Sequence, residues 1–228
     1  MREIILDTET TGFEFISGHR IVEIGCIELI DRKDIGDSFQ VYINPERDIP
    51  EDSFKIHGLS ADFLSDKPVF SDVIDGFLEF IQDSILIAHN ADFDINFLNH
   101  ELKILGREAL SFSRVVDTLP LARKVFPGQK NSLDALCERF RIDKSKRVKH
   151  GALIDVELLA EVYVKLLESI NRKDSFTLDN KQKIIASSVI IKRDDRNYAI
   201  PERDYENHEK FISKLSNPLW YSCKKDTV

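Results

Sequence analysis

Two carboxylates, Asp7 and Glu9, close the apolar run Ile4-Ile5-Leu6 near the start of the chain. In an extended strand, side chains two residues apart share a face, so both acids point the same way. If the strand continues through them, they repel one another and lose solvation. A divalent cation would relieve both penalties. If the strand stops at Leu6, they are ordinary solvated acids. A third acid, Asp94, stands in His89-Asn90-Ala91-Asp92-Phe93-Asp94, directly after the apolar run Ile85–Ala88. Strand-to-helix junctions of this kind line ligand crevices in open α/β sheets. Helix capping accounts for one of two neighbouring aspartates, and Asp92 is placed for it, which leaves Asp94 over. His150 and Asp155 complete the set, in His150-Gly151-Ala152-Leu153-Ile154-Asp155. Asp155 falls in the first turns of a helix on the side of Leu158 and Leu159, where a carboxylate needs a partner. His150 precedes that helix beside Gly151, either a surface loop residue or an imidazole able to swing toward a bound water.

Singly, each of these residues has an ordinary structural explanation. Together, four carboxylates and one imidazole at a strand, a strand-to-helix junction and a late helix are what two-metal phosphodiester hydrolysis requires. Two cations about 3.5–4 Å apart would hold the attacking and leaving oxygens of an in-line displacement. Carboxylate and water ligands suit Mg²⁺ or Mn²⁺ rather than zinc. A neutral imidazole can take the proton from the attacking water.

The elements that must position these groups follow from periodicity. Arg2–Thr8, Ile21–Ile30 and Asp37–Ile43 read as three strands of an antiparallel meander. An irregular stretch contains Ile49-Pro50 and Lys55–Gly58. Ser60 caps a short helix, 61–65, and an amphipathic helix covers 68–82 with Val69, Val73, Phe77, Phe80 and Ile81 inward. Ile85–Ala88 is a wholly apolar interior strand. A helix capped by Asn90 or Asp92 runs to about Leu105, and Val115-Val116 is a short fifth strand. Helices follow at 119–125, 132–140 and 152–167. Strands first, then strands alternating with helices, give an α/β fold with a mixed sheet flanked by helices. Asp117 would brace a metal ligand or, more simply, cap the helix after it.

The chain has 228 residues, 42 % of them hydrophobic, enough for one sizeable core. No apolar run is long enough for a membrane span, and acids interrupt the N-terminal region where a signal peptide would need an apolar stretch. Cys26, Cys137 and Cys223 are odd in number and far apart, which suits free thiols in a reducing cytoplasm. The net charge of −8 speaks against simple electrostatic binding to nucleic acid. The charge is uneven, however: residues 1–170 carry −11 and residues 171–228 carry +3. An acidic body is what a carboxylate metal site needs, since bound cations restore attraction to phosphate. In the stretch 139–149 leading to His150, Arg139, Arg141, Lys144, Lys146, Arg147 and Lys149 are opposed only by Asp143. Such a run is a solvated face or a phosphate-steering patch. Phe13 and Phe15 follow the first motif, where core packing is the stronger reading and stacking on bases the other.

Asp7-Thr8-Glu9-Thr10-Thr11-Gly12, His89-Asn90-Ala91-Asp92-Phe93-Asp94, Asn131-Ser132-Leu133-Asp134-Ala135-Leu136-Cys137 and His150-Gly151-Ala152-Leu153-Ile154-Asp155 resemble the motifs of the DEDDh 3′→5′ exonucleases. Within them they are most similar to the epsilon-type proofreading subunits of bacterial DNA polymerase III. The resemblance covers residues 1–168 and implies a ribonuclease H-like fold. It makes Asp7, Glu9, Asp94 and Asp155 the metal-binding acids, with Asp7 bridging two ions, Glu9 and Asp155 on the first and Asp94 on the second through water. His150 becomes the general base. Asp52 and His57 match positions that touch the terminal nucleotide, as do Asp7, Glu9 and Asp155, while Thr10 and Gly12 would contact it through hydroxyl and backbone. An exonuclease domain, 1–169, and a tail, 170–228, ending in Pro218-Leu219-Trp220, are expected. The tail would dock on the polymerase (alpha) subunit, and a small theta-like subunit and the sliding clamp are further implied partners. An RNA-trimming exonuclease and a non-catalytic polymerase scaffold are the competing readings.

Overall fold

The computed structural model describes residues 2–32, 34–145, 147, 149–187 and 201–215. Lys146, Val189–Ile191, Pro218-Leu219-Trp220 and Cys223 lie outside the described residues. One five-stranded sheet has the order β3-β2-β1-β4-β5. Its strands are β1 (Arg2–Thr10), β2 (Ile21–Ile30), β3 (Asp34–Tyr42), β4 (Ile85–Ala88) and β5 (Val115–Asp117). The first three form the expected antiparallel meander, and β4 and β5 run parallel to β1. The helices are α1 (Glu51–His57), α2 (Ala61–Leu64), α3 (Phe70–Ile81), α4 (Ala91–Ile104), α5 (Thr118–Val125), α6 (Leu133–Phe140), α7 (Ala152–Ser187) and α8 (Glu202–Ile212). The mixed sheet with helices on both faces is the α/β architecture expected from the sequence.

β1 is the middle strand, which explains its unbroken apolar run. Ile4 and Leu6 pack into the layer built with Phe70, Phe77, Ile95 and Leu98 of α3 and α4. Ile5 packs on the other face against Val156, Leu159 and Tyr163 of α7. Residues 5, 7 and 9 share a face, so the strand aims Asp7 and Glu9 at the side where α7 lies, and Thr8 at the side of α4.

Several elements differ from expectation. β1 continues past the expected Thr8 to Thr10, so Glu9 as well as Asp7 lies within the strand. Residues 51–57, expected to be irregular, form α1, because Pro50 opens it, two acids occupy its first turn, and Gly58 closes it at φ 77°. Asn90 precedes α4 in the left-handed region without a side-chain cap bond, and Asp92 is exposed. The last helix runs past Leu167 to Ser187. The chain divides into two compact units, Met1–Asp179 and Asn180–Val228. Within the second, α8 opens after Pro201 with Glu202 and Asp204 in its first turn. Cys26 and Cys137 are buried free thiols.

Candidate active site

The four acids and His150 meet where β1 and β4 end. β4 stops at Ala88, and Asn90 turns the chain into α4. Asp117, at the end of β5, holds that turn by accepting the Asn90 N–H at 2.9 Å, and it caps α5 by accepting the Leu119 N–H at 2.9 Å. Asp94, one turn into α4, is then 3 % exposed against β1. Its Oδ1 accepts the Thr8 backbone N–H at 2.9 Å and the Thr8 hydroxyl at 2.7 Å. Thr8 therefore ties the junction after β4 to the strand that carries Asp7 and Glu9.

α7 brings the remaining acid. Asp155 is 3 % exposed in its first turn, and its N–H donates to the Gly151 carbonyl at 2.9 Å. The helix approaches the sheet at Gly25, which pairs with Asp7 in the β1–β2 register. A Cβ on Gly25 would lie 2.4 Å from the Ala152 carbonyl carbon. Gly25→Ala must therefore push the start of α7 outward and carry Asp155 with it. The expected result is a loss of roughly 1–3 kcal/mol of stability and a larger proportional loss of activity, checked by thermal unfolding beside a nuclease assay. Full activity with unchanged stability would contradict this packing account.

Crowding distorts the acids electrostatically. Asp7 keeps partial exposure to the groove, but burial, reinforced by the charges of Asp94, Glu9, Asp155 and Glu23, raises its pKa well above the ordinary carboxylate range. Burial, then Asp155, Glu23 and Asp94, push Glu9 up to about 8, against a lowering by Arg147. Burial pushes Asp94 up to about 7, although the Thr8 bonds oppose it. Carboxyls held in this state lack a counter-charge. Oxygen or nitrogen atoms of Glu9, His150 and Asp155 lie within 4.8 Å of one another, a spacing one cation could span. Asp155 Oδ1 lies against Arg147 Nε as an ion pair without the alignment of a hydrogen bond. Asp7, Glu9 and Asp94, crowded acids with no Lys or Arg ion pair among the described residues, fit a hard divalent cation.

His150 is 47 % exposed at the groove edge, with Nδ1 3.3 Å from Asp155 Oδ2. His57 lines an adjoining groove with Glu9, Thr10, Gly12, Phe13 and His150. Its Nδ1 accepts the Leu59 N–H at 3.0 Å, which leaves the proton on Nε2, a buried atom without a partner. Burial, then Lys149, lowers its pKa to about 4, so it is a neutral donor. Asp52 is not brought to either groove: its side chain is 95 % exposed and 3.8 Å from Lys55. Phe13 corrects the core reading, since it is 77 % exposed at the groove, whereas Phe15 packs edge-on against Phe97 as expected. The basic run is not uniformly a solvated face. Arg139 stacks on Phe126, Lys149 lies over Phe54, and Arg147 is buried among acids.

Sequence reasoning missed Glu23. It pairs with Glu9 across β1 and β2, is 1 % exposed, and accepts the Ala152 N–H at 3.2 Å and the Gln40 amide at 2.8 Å. A glutamate on the inward face of a predicted strand was the available signal. Thr8 was hidden between the two acids that drew attention.

The description "exonuclease" belongs to the RNase_T family, whose pattern matches residues 4–163. The DNA polymerase III subunit epsilon of Rickettsia conorii is 47 % identical over 224 residues, covering 94 % of this chain and 96 % of the relative. That of Escherichia coli K12 is 47 % identical over 172 residues, 72 % of this chain and 71 % of the relative. Among solved structures, exonuclease X in complex with 5′ overhanging duplex DNA superposes with a TM-score of 0.57 at 27 % identity, covering 73 % of this chain and 92 % of that one. The nuclease domain of 3′hExo, a DEDDh family member, shares the fold with a TM-score of 0.62 at 19 % identity, covering 73 % of this chain and 92 % of that one. With a match that spans the sheet and every acid of the cluster, and relatives alike along nearly the whole sequence, the chain belongs to the RNase_T exonuclease family, among the DNA polymerase III epsilon subunits.

Proposed function

We propose that this chain proofreads for a replicative DNA polymerase, hydrolysing the terminal phosphodiester at a DNA 3′ end and releasing nucleoside 5′-monophosphates. The observation that carries the reading is the convergence of Asp7, Glu9, Asp94, Asp155 and His150 at the ends of β1 and β4. Two divalent cations, Mg²⁺ or Mn²⁺, would be held by the acids, with Asp7 shared, Glu9 and Asp155 on one and Asp94 on the other. When bound, the cations supply Lewis acidity at the scissile phosphate and balance the crowded carboxylates. His150, exposed at the groove edge, accepts the proton of the attacking water. His57 offers its unpartnered Nε2–H to the terminal nucleotide, beside Thr10 and Gly12 on the same groove wall. Asp52 would reach the nucleotide only by turning from Lys55. Phe13, at the groove mouth, is placed to lie against a base.

Residues 170–228 are proposed as the docking segment for the polymerase alpha subunit, in an assembly that would also bring the sliding clamp and a theta-like subunit. The body already holds every candidate catalytic group, and the tail has short apolar islands and Trp220, an anchor type that dominates interfaces. Among the described residues no helix is long and apolar enough to cross a membrane, compatible with work beside the chromosome in the cytoplasm. Ile170 packs on the body, so the informative truncation ends at Asp179, the end of the first compact unit. That chain should retain hydrolysis of single-stranded DNA and lose co-purification with the polymerase subunit. Undiminished polymerase binding, or lost nuclease activity, would remove the docking role.

The substrate is tested by offering matched and 3′-mispaired primer-templates, single-stranded DNA and short RNA in parallel with Mg²⁺ or Mn²⁺. Faster removal of the mispaired DNA terminus is the expected result. A preference for RNA would point to RNA trimming, and no hydrolysis of any substrate would leave a scaffold.

A further inference from the structure

Arg147 belongs to the basic run before His150, yet its side chain is 6 % exposed inside the acid cluster. Nη1 ion-pairs with Asp134 Oδ1 at 2.8 Å. Nη2 donates to Asp155 Oδ2 at 2.8 Å and to His150 Nδ1 at 2.7 Å. Nε lies against Asp155 Oδ1. Asp134 sits in the first turn of α6, within the Asn131–Cys137 motif, for which the hydrolysis has no other use. Among the described residues, no other lysine or arginine forms an ion pair with Asp7, Glu9, Asp94 or Asp155.

A guanidinium is protonated at every working pH and cannot leave as a neutral group. Here it faces both oxygens of an acid expected to hold a cation. It also engages the imidazole that is expected to act as base. With Nδ1 accepting from Arg147, a neutral His150 carries its proton on Nε2, so neither ring nitrogen has a lone pair to spare. One fixed positive charge thus sits against both oxygens of Asp155, where a bound cation would need at least one of them, and also engages the imidazole. A second positive charge on Asp155 would repel it, and Asp134, 48 % exposed on another helix, gives it somewhere to remain.

We propose that Arg147 is an internal counter-cation: tethered by Asp134, it occupies Asp155 and His150 in the metal-free protein and yields Asp155 when a divalent ion binds. The inference rests on the metal-binding role proposed above for Asp155. It makes Arg147 a positioning residue that competes with the metal, in contrast to the phosphate-steering role that its basic surroundings suggest.

The test uses Mn²⁺ alone, without DNA. Full-length wild type, Arg147→Gln and Arg147→Lys are titrated with Mn²⁺ by calorimetry, and each is unfolded thermally with and without the ion. Removing a competing charge from a buried ligand should tighten the first Mn²⁺ about tenfold in Arg147→Gln. The same variant should unfold at lower temperature without metal and recover more than wild type when Mn²⁺ is added. Arg147→Lys keeps the charge but not the fork, so it should fall between the two, and it carries the test if the Gln variant does not fold. Equal or weaker Mn²⁺ binding by the variants overturns the proposal. A loss of melting temperature that is the same with and without Mn²⁺ makes Arg147 a plain structural brace and overturns it too. If the wild-type protein binds no Mn²⁺, the metal site itself is misassigned and the proposal falls with it, a failure separable from the others because it appears before any substitution is made.

Discussion

Asp7→Ala should abolish hydrolysis, by roughly 10³-fold or more, yet leave the metal-free protein at least as stable as the parent. The two effects have one cause. Asp7 stands on the middle strand among Asp94, Glu9, Asp155 and Glu23, and its pKa is raised well above normal by burial first and by those charges next. The position is costly without cations and, on the proposed function, necessary with them. Glu9, pushed up to about 8, and Asp94, to about 7, make the same point through pH. Their folded-state values lie above the unfolded ones, so the folded protein keeps protons that the unfolded chain has released. The stability they contribute is complete below about pH 4, the unfolded carboxyl range, and is lost as pH rises toward 8. The melting temperature of metal-free protein should therefore fall across that window, and Asp7→Ala should fall less. Saturating Mg²⁺ or Mn²⁺ should flatten the slope. Asp155→Ala behaves differently, because Arg147 loses a buried partner; it should lose both activity and stability. Near-full activity in Asp7→Ala would remove the site assignment.

His150→Ala should carry the second largest effect, a slowing of roughly 10²–10⁴-fold. His57 does not compete for the role of base. Its Nδ1 is committed to the Leu59 N–H, and burial lowers its pKa to about 4, which makes it a poor base. Rate measurements at saturating metal decide the matter: a near-wild-type rate in His150→Ala would place the base elsewhere.

Much of this was legible in the sequence for identifiable reasons. The wholly apolar Ile85–Ala88 could only be an interior strand, and its bounds are those observed. Ser60 and Ser132 mark the starts of α2 and α6, each accepting the N–H three residues on. Asp117 caps α5, the simpler of its two readings. The acids were visible because, although each alone has an ordinary structural use, their combination at a strand, a strand-to-helix junction and a late helix has none. What was hidden depends on tertiary contact. Glu23 looks like an ordinary strand residue until α7 lands on it. Gly25 matters only because the helix passes within contact distance. Arg147 cannot be distinguished from its basic neighbours until Asp134 and Asp155 are brought to either side of it. Residues 51–57 carry little helical periodicity, and their helix is specified by its ends, Pro50 and Gly58.

On the proposed function, these five residues remove nucleotides from a 3′ end only with a divalent cation bound. The most direct measurement follows a single-stranded DNA oligonucleotide labelled at its 3′-terminal nucleotide, with purified full-length protein in chelator and then with Mg²⁺ or Mn²⁺ added. Label should stay on the polymer in chelator and appear as nucleoside 5′-monophosphate at once when metal is supplied, before any internal nucleotide is released. Release in chelator, first release from the 5′ end, or a nucleoside 3′-monophosphate product would contradict the account.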